Sequence, residues 1–335
     1  MPPPRVSVLL PYRDCAQTLP EAIEGILADG DPTLELIVVN DGSADAGPAY
    51  LAERARRDPR VVCLDTPGLG IVGALSVGMS RARGDLIARM DADDVCDPER
   101  IARQRVHLDA RPTIALVATR VVCFPEEAVG EGLRRYVDWQ NGIVSADDHA
   151  REMFVESPVC HPSVMLRRAA LDAVGAWRDL PVPEDYDLWL RMDAAGMRME
   201  KLPASLLGWR HRPGRLTFSD PRYAPARIVA AKAPFVAARV RATGLPLVVW
   251  GAGPTGKHLA RALEPHGVYA AAFVDIDPRK VGGVARGAPI GTPDTLVPGR
   301  CVVVAAVGSR GARGLIREAL AARGFVEGRD WWAGA

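Results

Sequence analysis

At 335 residues, 48% of them apolar and 25% charged, the chain can form two domains or one large α/β domain with an appendage. A net charge of +1 offers no electrostatic footprint for nucleic acid. Six Cys without paired spacing indicate neither a zinc site nor a disulfide framework and suit a reducing cytosol, and with no signal peptide and no spanning apolar run the expected location is cytoplasmic, without a transmembrane segment but compatible with peripheral membrane contact.

Arg5 to Tyr12 reads as an apolar strand ended by Pro11. Thr18 and Leu19 then open an amphipathic helix whose inner face is Ala22, Ile23, Ile26 and Leu27. Leu34 to Val39 is a second apolar strand, closed by the polar turn Asn40-Asp41-Gly42-Ser43-Ala44-Asp45. Val61 to Leu64 is a third, and a helix over 70–82 leads to a fourth, Leu86 to Met90. Helices alternating with continuously apolar strands predict an α/β fold, a mainly parallel sheet covered on both faces. Polar clusters fall at the carboxyl ends of strands one, two and four, the edge where such sheets bind ligands.

The fourth strand runs into Asp91-Ala92-Asp93-Asp94. Strand alternation would send Asp91 and Asp93 the same way, and neighbouring carboxylates repel unless a cation lies near them. Hard divalent ions are held by one or two carboxylates with substrate phosphates completing the shell, so one reading is a metal–diphosphate site. The other is a solvated acidic turn before the helix that Asp97-Pro98-Glu99 opens.

Further on, 113–122 and 163–166 read as strands and 147–155 as a helix. His161 suits a hydrogen-bonded structural role, with the acceptor side as the alternative. A Pro-rich loop hands over to a helix beginning Glu184-Asp185-Tyr186-Asp187, where acidic residues also suit the helix dipole. Leu188, Trp189 and Met192 read as core. After a short apolar strand at 204–208 comes a basic cluster from Trp209 to Thr217.

Four ordered pieces, Pro11-Tyr12, ELIVVNDGSAD (35–45), GDLIARMDADD (84–94) and EDYDLW (184–189), together resemble the inverting family 2 glycosyltransferases of the GT-A fold, over roughly residues 5–218. The resemblance implies a metal-dependent transfer from a nucleoside diphosphate sugar to a hydroxyl of a saccharide or lipid-linked saccharide, as in cell-envelope polysaccharide synthesis, with Mn²⁺ or Mg²⁺ as cofactor. It further implies that Asp93 holds the metal and Asp91 lies by the ribose. Asp41 would read the nucleobase, with Pro11 and Tyr12 beside it and Tyr12 stacking. Asp185 would be the general base, with Glu184 its rival and a substrate neighbour. His211 would close over the diphosphate and add a metal ligand, and Arg215 would contact phosphate. The chain departs from the pattern at Asn40, where many members have Asp, and in lacking Arg or Asn over 67–79. It also lacks the Gln-x-x-Arg-Trp signature of processive synthases, which implies a single addition.

The last third begins with one long helix over 220–243, ended by Gly244. The expected domains are therefore 1–219, a linker at 220–244, and 245–335. A strand at 245–250 leads into Gly251-Ala252-Gly253-Pro254-Thr255-Gly256 and a helix, and the next strand ends at Asp275. That context fits the dinucleotide fingerprint, whose acid falls about 20 residues on. At about half the usual size, this Rossmann-like unit resembles the small domain that precedes some sugar O-acyltransferases. It could bind a nucleotide at Gly251, Gly253, Gly256 and Asp275, dock a partner, or keep its glycines for packing alone. For the whole chain, the alternative to a transferase is a catalytically inactive nucleotide-sugar binding or scaffold protein. A nucleotidyltransferase would need a glycine-rich basic loop after the first strand, and Leu9 to Asp14 is not one.

Overall fold

The computed structural model describes residues 3–212, 214–215 and 219–335; Leu216 and Thr217, at the end of the basic cluster, lie outside them. The chain divides into two compact units, one of Met1–His149, Pro158–Leu180 and Arg191–Ser219, the other of Ala150–Ser157, Pro181–Leu190 and Asp220–Ala335.

In the first unit β1 (Val6–Tyr12), β2 (Leu34–Asp41), β3 (Val61–Thr66) and β4 (Leu86–Arg89) alternate with α1 (Leu19–Leu27), α2 (Gly47–Arg57) and α3 (Gly70–Arg81). Along the chain they are followed by β5 (Val95–Cys96), α4 (Arg100–Ala110), β6 (Ile114–Phe124), α5 (Glu131–Gly142), α6 (Ala146–Glu152), β7 (Met165–Arg167), α7 (Arg168–Val174), α8 (Glu184–Ala194) and β8 (Arg198–Arg210), the end of α6 and the start of α8 being counted with the second unit. The sheet order is β3-β2-β1-β4-β7-β6-β8-β5. β1 pairs in parallel with β2 and β4, whereas β7 is antiparallel to both β4 and β6. The expected mixed, mainly parallel α/β sheet is thus present. Because β2 and β4 flank β1, the chain reverses direction of growth at β1, and the carboxyl ends of strands at such a switch point are where open α/β sheets bind ligands.

One buried acid fixes that register. Glu35, on the apolar strand β2, is 3% exposed. It accepts hydrogen bonds from Ser7 Oγ at 2.6 Å and from the Arg83 N–H at 2.7 Å, and pairs with the Arg83 guanidinium. Burial pushes the Glu35 carboxyl up, but these partners outweigh it and hold it below its ordinary value. Gly84 follows because a Cβ there would lie 2.7 Å from Ser7 N. Pro11 does not end β1. It pairs with Val39, beyond the Leu9–Arg89 end of the β4 pairing, where its missing N–H is not needed.

Two spans differ from expectation. β8 starts at Arg198, well before 204, because Glu200 and Lys201 within it are buried against partners of their own. His107 and Arg111 hold Glu200, and Lys201 donates to the carbonyls of Gln140 and Pro158. The helix expected over 220–243 is a 3₁₀ turn, Pro221–Tyr223, and then α9 (Pro225–Thr243). Pro225 forces Ala224 into extended backbone and breaks the helix there.

In the second unit β9 (Leu247–Trp250), α10 (Pro254–Leu263), β10 (Ala270–Val274), β11 (Val284–Ala285), β12 (Ala288–Gly291), β13 (Val302–Ala305), α11 (Ala312–Ala322) and β14 (Trp331–Ala333) form a sheet ordered β11-β12-β10-β9-β13-β14. Its pairings are parallel except β11–β12. Among the described residues no helix is long and apolar enough to cross a membrane.

Candidate functional site

β4 ends at Arg89, so strand alternation does not aim Asp91 and Asp93. A turn does: the Asp94 N–H approaches the Asp91 carbonyl at 3.4 Å and folds the segment back on itself. Oxygens of Asp91, Asp93 and Asp94 consequently lie within 4.8 Å of one another. Asp94, which the sequence left between a ligand and a cap, is fully buried, and its Oδ2 has no hydrogen-bond partner. A buried carboxylate oxygen left open beside two more carboxylates is a donor set that fits a hard divalent cation. His211 is not in this cluster; its backbone N–H donates to the Phe124 carbonyl at 2.7 Å.

Three guanidiniums pair with the carboxylates, and that of a fourth arginine, Arg210, lies on the turn's backbone and pairs with Glu21. Buried Arg89 pairs with Asp91. Arg215 reaches Asp91 and Asp94 at 3.4 Å each and is stacked over the Trp209 ring. Arg210 donates from its backbone to Asp94 Oδ1 at 2.8 Å and from Nε to the Asp93 carbonyl at 2.7 Å. Arg212 Nε lies 2.8 Å from Asp93 Oδ2. Arg212 and Arg215 of the basic cluster are therefore counter-ions of the acidic one, and Arg215, expected at a phosphate, is turned onto carboxylates. Burial pushes the Asp91 carboxyl up, but Arg89 and Arg215 outweigh it and hold it below the usual range. Asp94 is pushed well above that range, first by burial and then by Asp91 and Asp93, with Arg215 opposing.

Asp41, at the end of β2, is 6% exposed and acts as a remote cap of α3. Its Oδ1 accepts from Thr66 Oγ1 and the Leu69 N–H, both at 2.6 Å, and its Oδ2 from the Gly70 N–H at 2.8 Å. An ionised carboxylate has about four acceptor positions, so one remains for a ligand. Asn40 has its own reason to be an amide. Its Oδ1 accepts the Ser43 N–H, and its Nδ2 donates to Asp65 Oδ1 at 2.9 Å, which a carboxylate could not do. Tyr12, expected to stack on a base, is 3% exposed, with its ring against Gly47 and its hydroxyl without a hydrogen-bond partner. β1 ends with that side chain in the core, so its ring is enclosed rather than presented. Pro11 lies beside it, partly exposed. His161 accepts the Trp177 indole N–H on Nε2 at 2.9 Å, a structural hydrogen bond.

In the second unit, Glu184 is 1% exposed and its carboxylate receives the Tyr223 hydroxyl, 2.7 Å from Oε2. Asp185 is partly exposed, oriented by the Tyr186 N–H at 2.7 Å from Oδ1. Leu188, Trp189 and Met192 are buried as expected. In the glycine turn, a Cβ at Gly251 would meet the Ala306 carbonyl at 2.6 Å, and one at Gly256 the Gly251 carbonyl at 1.8 Å. Packing alone therefore demands both glycines, whereas a Cβ at Gly253 would meet nothing within 4 Å. Asp275 is engaged by the Ala252 N–H at 2.9 Å, the Asp277 N–H at 3.0 Å and Lys280 Nζ at 2.9 Å. The sequence showed none of the roles of Arg89, Arg210, Arg212, Asp65 or Tyr223. Only the density of Arg over 210–215 gave a signal, and that for Arg210 and Arg212 alone.

Residues 7–175 match the family described as Glycosyl transferase family 2. The chain is 31% identical over 209 residues to the putative glycosyltransferase EpsE of Bacillus subtilis (strain 168), covering 61% of this chain and 72% of that one. It is 29% identical over 203 residues to the amylovoran biosynthesis glycosyltransferase AmsE of Erwinia amylovora, covering 60% and 74%. Among solved structures, S. aureus TarS 1–349 in complex with UDP-GlcNAc superposes with a TM-score of 0.57 at 16% identity, over 79% of this chain and 73% of that one. Mannosyltransferase PcManGT from Pyrobaculum calidifontis, in complex with GDP-Man and Mn²⁺, gives 0.51 at 19%, over 78% and 69%. These likenesses identify the fold as GT-A.

Proposed function

The chain belongs to glycosyl transferase family 2, and on that premise we propose that it moves one sugar from a nucleoside diphosphate sugar to a hydroxyl of a saccharide or lipid-linked saccharide, with inversion. The observation that carries the reading is the convergence of Asp91, Asp93 and Asp94 at the end of β4, with Asp94 Oδ2 buried and open. Asp93 and Asp94 would hold Mn²⁺ or Mg²⁺, and Asp91 would face the ribose. When bound, such an ion supplies Lewis-acid stabilisation to the charge that develops on the leaving diphosphate. The complex of PcManGT with Mn²⁺ and GDP-Man supports this assignment by likeness.

Asp41, fixed by three hydrogen bonds, would offer its remaining acceptor position to an N–H of the base. Asp185 would accept the proton of the attacking hydroxyl on a carboxylate oxygen, as a general base. The Tyr223 hydroxyl bound to Glu184 supports Asp185 over its neighbour for that role. The name of AmsE, which ties that relative to amylovoran biosynthesis, supports a saccharide acceptor. For the second unit, the nucleotide site proposed at Gly251, Gly253, Gly256 and Asp275 narrows to an approach past Gly253, the position left open in the turn.

The test is release or transfer of sugar from a panel of nucleotide sugars with Mn²⁺, on wild type, Asp93→Ala and Asp185→Ala. Activity in wild type alone is expected. Wild-type transfer by Asp185→Ala would remove the assigned base, and no donor binding with metal present would return the scaffold reading.

A further inference from the structure

Four guanidiniums meet the acidic cluster, and three of them are fixed. Arg89 is 1% exposed and Arg215 8% exposed. Arg215 is in addition stacked over Trp209 and hydrogen-bonded to the Arg210 carbonyl. Arg210 lies over the Phe124 ring at 4.4 Å and is bonded through both backbone and Nε to the turn itself. Arg212 differs. Its side chain is 43% exposed, while the Asp93 side chain it holds is 11% exposed.

We propose that Arg212 is an exchangeable counter-ion, which holds Asp93 Oδ2 in the metal-free enzyme and passes to the donor's diphosphate when a divalent ion takes that carboxylate. The inference rests on the metal–diphosphate reading of the cluster given above. A divalent cation and a guanidinium compete for the same carboxylate oxygen, and close approach of the two positive charges is repulsive. An arginine released there stands beside a site for a diphosphate, the partner whose geometry its forked donors match. The exchange keeps Asp93 neutralised before metal arrives. It also couples the loss of that contact to the gain of one on the leaving group.

Calorimetric binding on the full chain tests the exchange without relying on turnover. Mn²⁺ alone is titrated into wild type, Arg212→Gln and Arg212→Lys, followed by UDP and GDP in turn with Mn²⁺ saturating. Arg212→Gln is expected to bind Mn²⁺ alone about fivefold more tightly, the scale of one partly exposed ion pair. It should bind the preferred nucleoside diphosphate about tenfold more weakly, having lost one charge-assisted phosphate contact. Arg212→Lys should return both affinities toward wild type. Unchanged or weaker Mn²⁺ binding in Arg212→Gln would overturn the proposal, since the arginine would then support the metal rather than compete with it. A Lys variant behaving like Gln would overturn it too. Absence of Mn²⁺ binding by wild type would instead remove the metal reading itself, a distinct failure that takes the exchange with it.

Discussion

Asp41→Asn separates two duties that one side chain carries. The carboxylate accepts Thr66 Oγ1 and the Leu69 N–H on one oxygen and the Gly70 N–H on the other. An asparagine can keep the first oxygen's two partners, but only as neutral hydrogen bonds, and it turns an NH₂ toward the Gly70 N–H. Hydrogen bonds to a charged acceptor contribute about 1.5–3 kcal/mol, and an orphaned donor costs about 1–3 kcal/mol when water cannot reach it. Leu69 and Gly70 are exposed, so water offsets part of that cost. The expected loss is therefore about 2–3 kcal/mol, a sizeable part of a typical total of about 5–15 kcal/mol. Urea denaturation measures it, and UDP or GDP binding to the same variant measures the second duty. A variant within about 0.5 kcal/mol of wild type would refute the cap argument, because surface changes that touch nothing already fall in that range. A loss of stability with unchanged nucleotide binding would confine Asp41 to the scaffold.

Asn40→Asp should cost about 1–2 kcal/mol by setting a second carboxylate against Asp65, and adding Asp65→Asn should recover it; a double variant no more stable than Asn40→Asp removes the explanation of the amide. Burial pushes the Lys201 ammonium from 10.5 to about 7. The unfolded chain then holds a proton across that window that the fold releases, so stability rises with pH there by up to about 1.4 kcal/mol per unit, and is flat in this respect below it. Lys201→Met should abolish that slope in denaturation midpoints, and an unchanged slope would locate the titration elsewhere. Asp93→Asn and Asp94→Asn should each lose most of the Mn²⁺-dependent rise in melting temperature expected of wild type. Retention of that rise in Asp94→Asn would show its buried oxygen to be no ligand.

The first four strands were legible because each is an apolar run bounded by turn residues, and no long-range information was needed to find them. The acidic turn was legible as chemistry but not as geometry. Its carboxylates converge because the strand stops at Arg89, and a residue count cannot say where a strand stops. The counter-ions were illegible for a different reason. Arg210, Arg212 and Arg215 meet carboxylates more than a hundred residues earlier in the chain, and pairing at that distance belongs to the fold rather than to local pattern. The start of β8 was missed on the same ground, since Glu200 and Lys201 look like a solvated face until their distant partners are known.

Matching a motif also mixes buried residues that hold the fold with residues open to solvent, and EDYDLW contains one of each side by side. Glu184 is 1% exposed and takes the Tyr223 hydroxyl, so its carboxylate is occupied by the protein itself. Asp185, one residue on, is partly exposed, and the Tyr186 N–H bonds to an oxygen that an amide would keep. The two conservative amides should therefore fail in opposite ways. Glu184→Gln weakens a charge-assisted hydrogen bond in a buried place and should lower stability by about 1–2 kcal/mol while transfer persists. Asp185→Asn keeps the Tyr186 N–H and should cost less stability than Glu184→Gln, but it removes the proton acceptor, at a cost of about 10²–10⁴ in rate for a general base. Melting temperature and sugar transfer measured on both variants decide the matter. If Glu184→Gln is the one that keeps its stability and loses its turnover, the base has been assigned to the wrong neighbour.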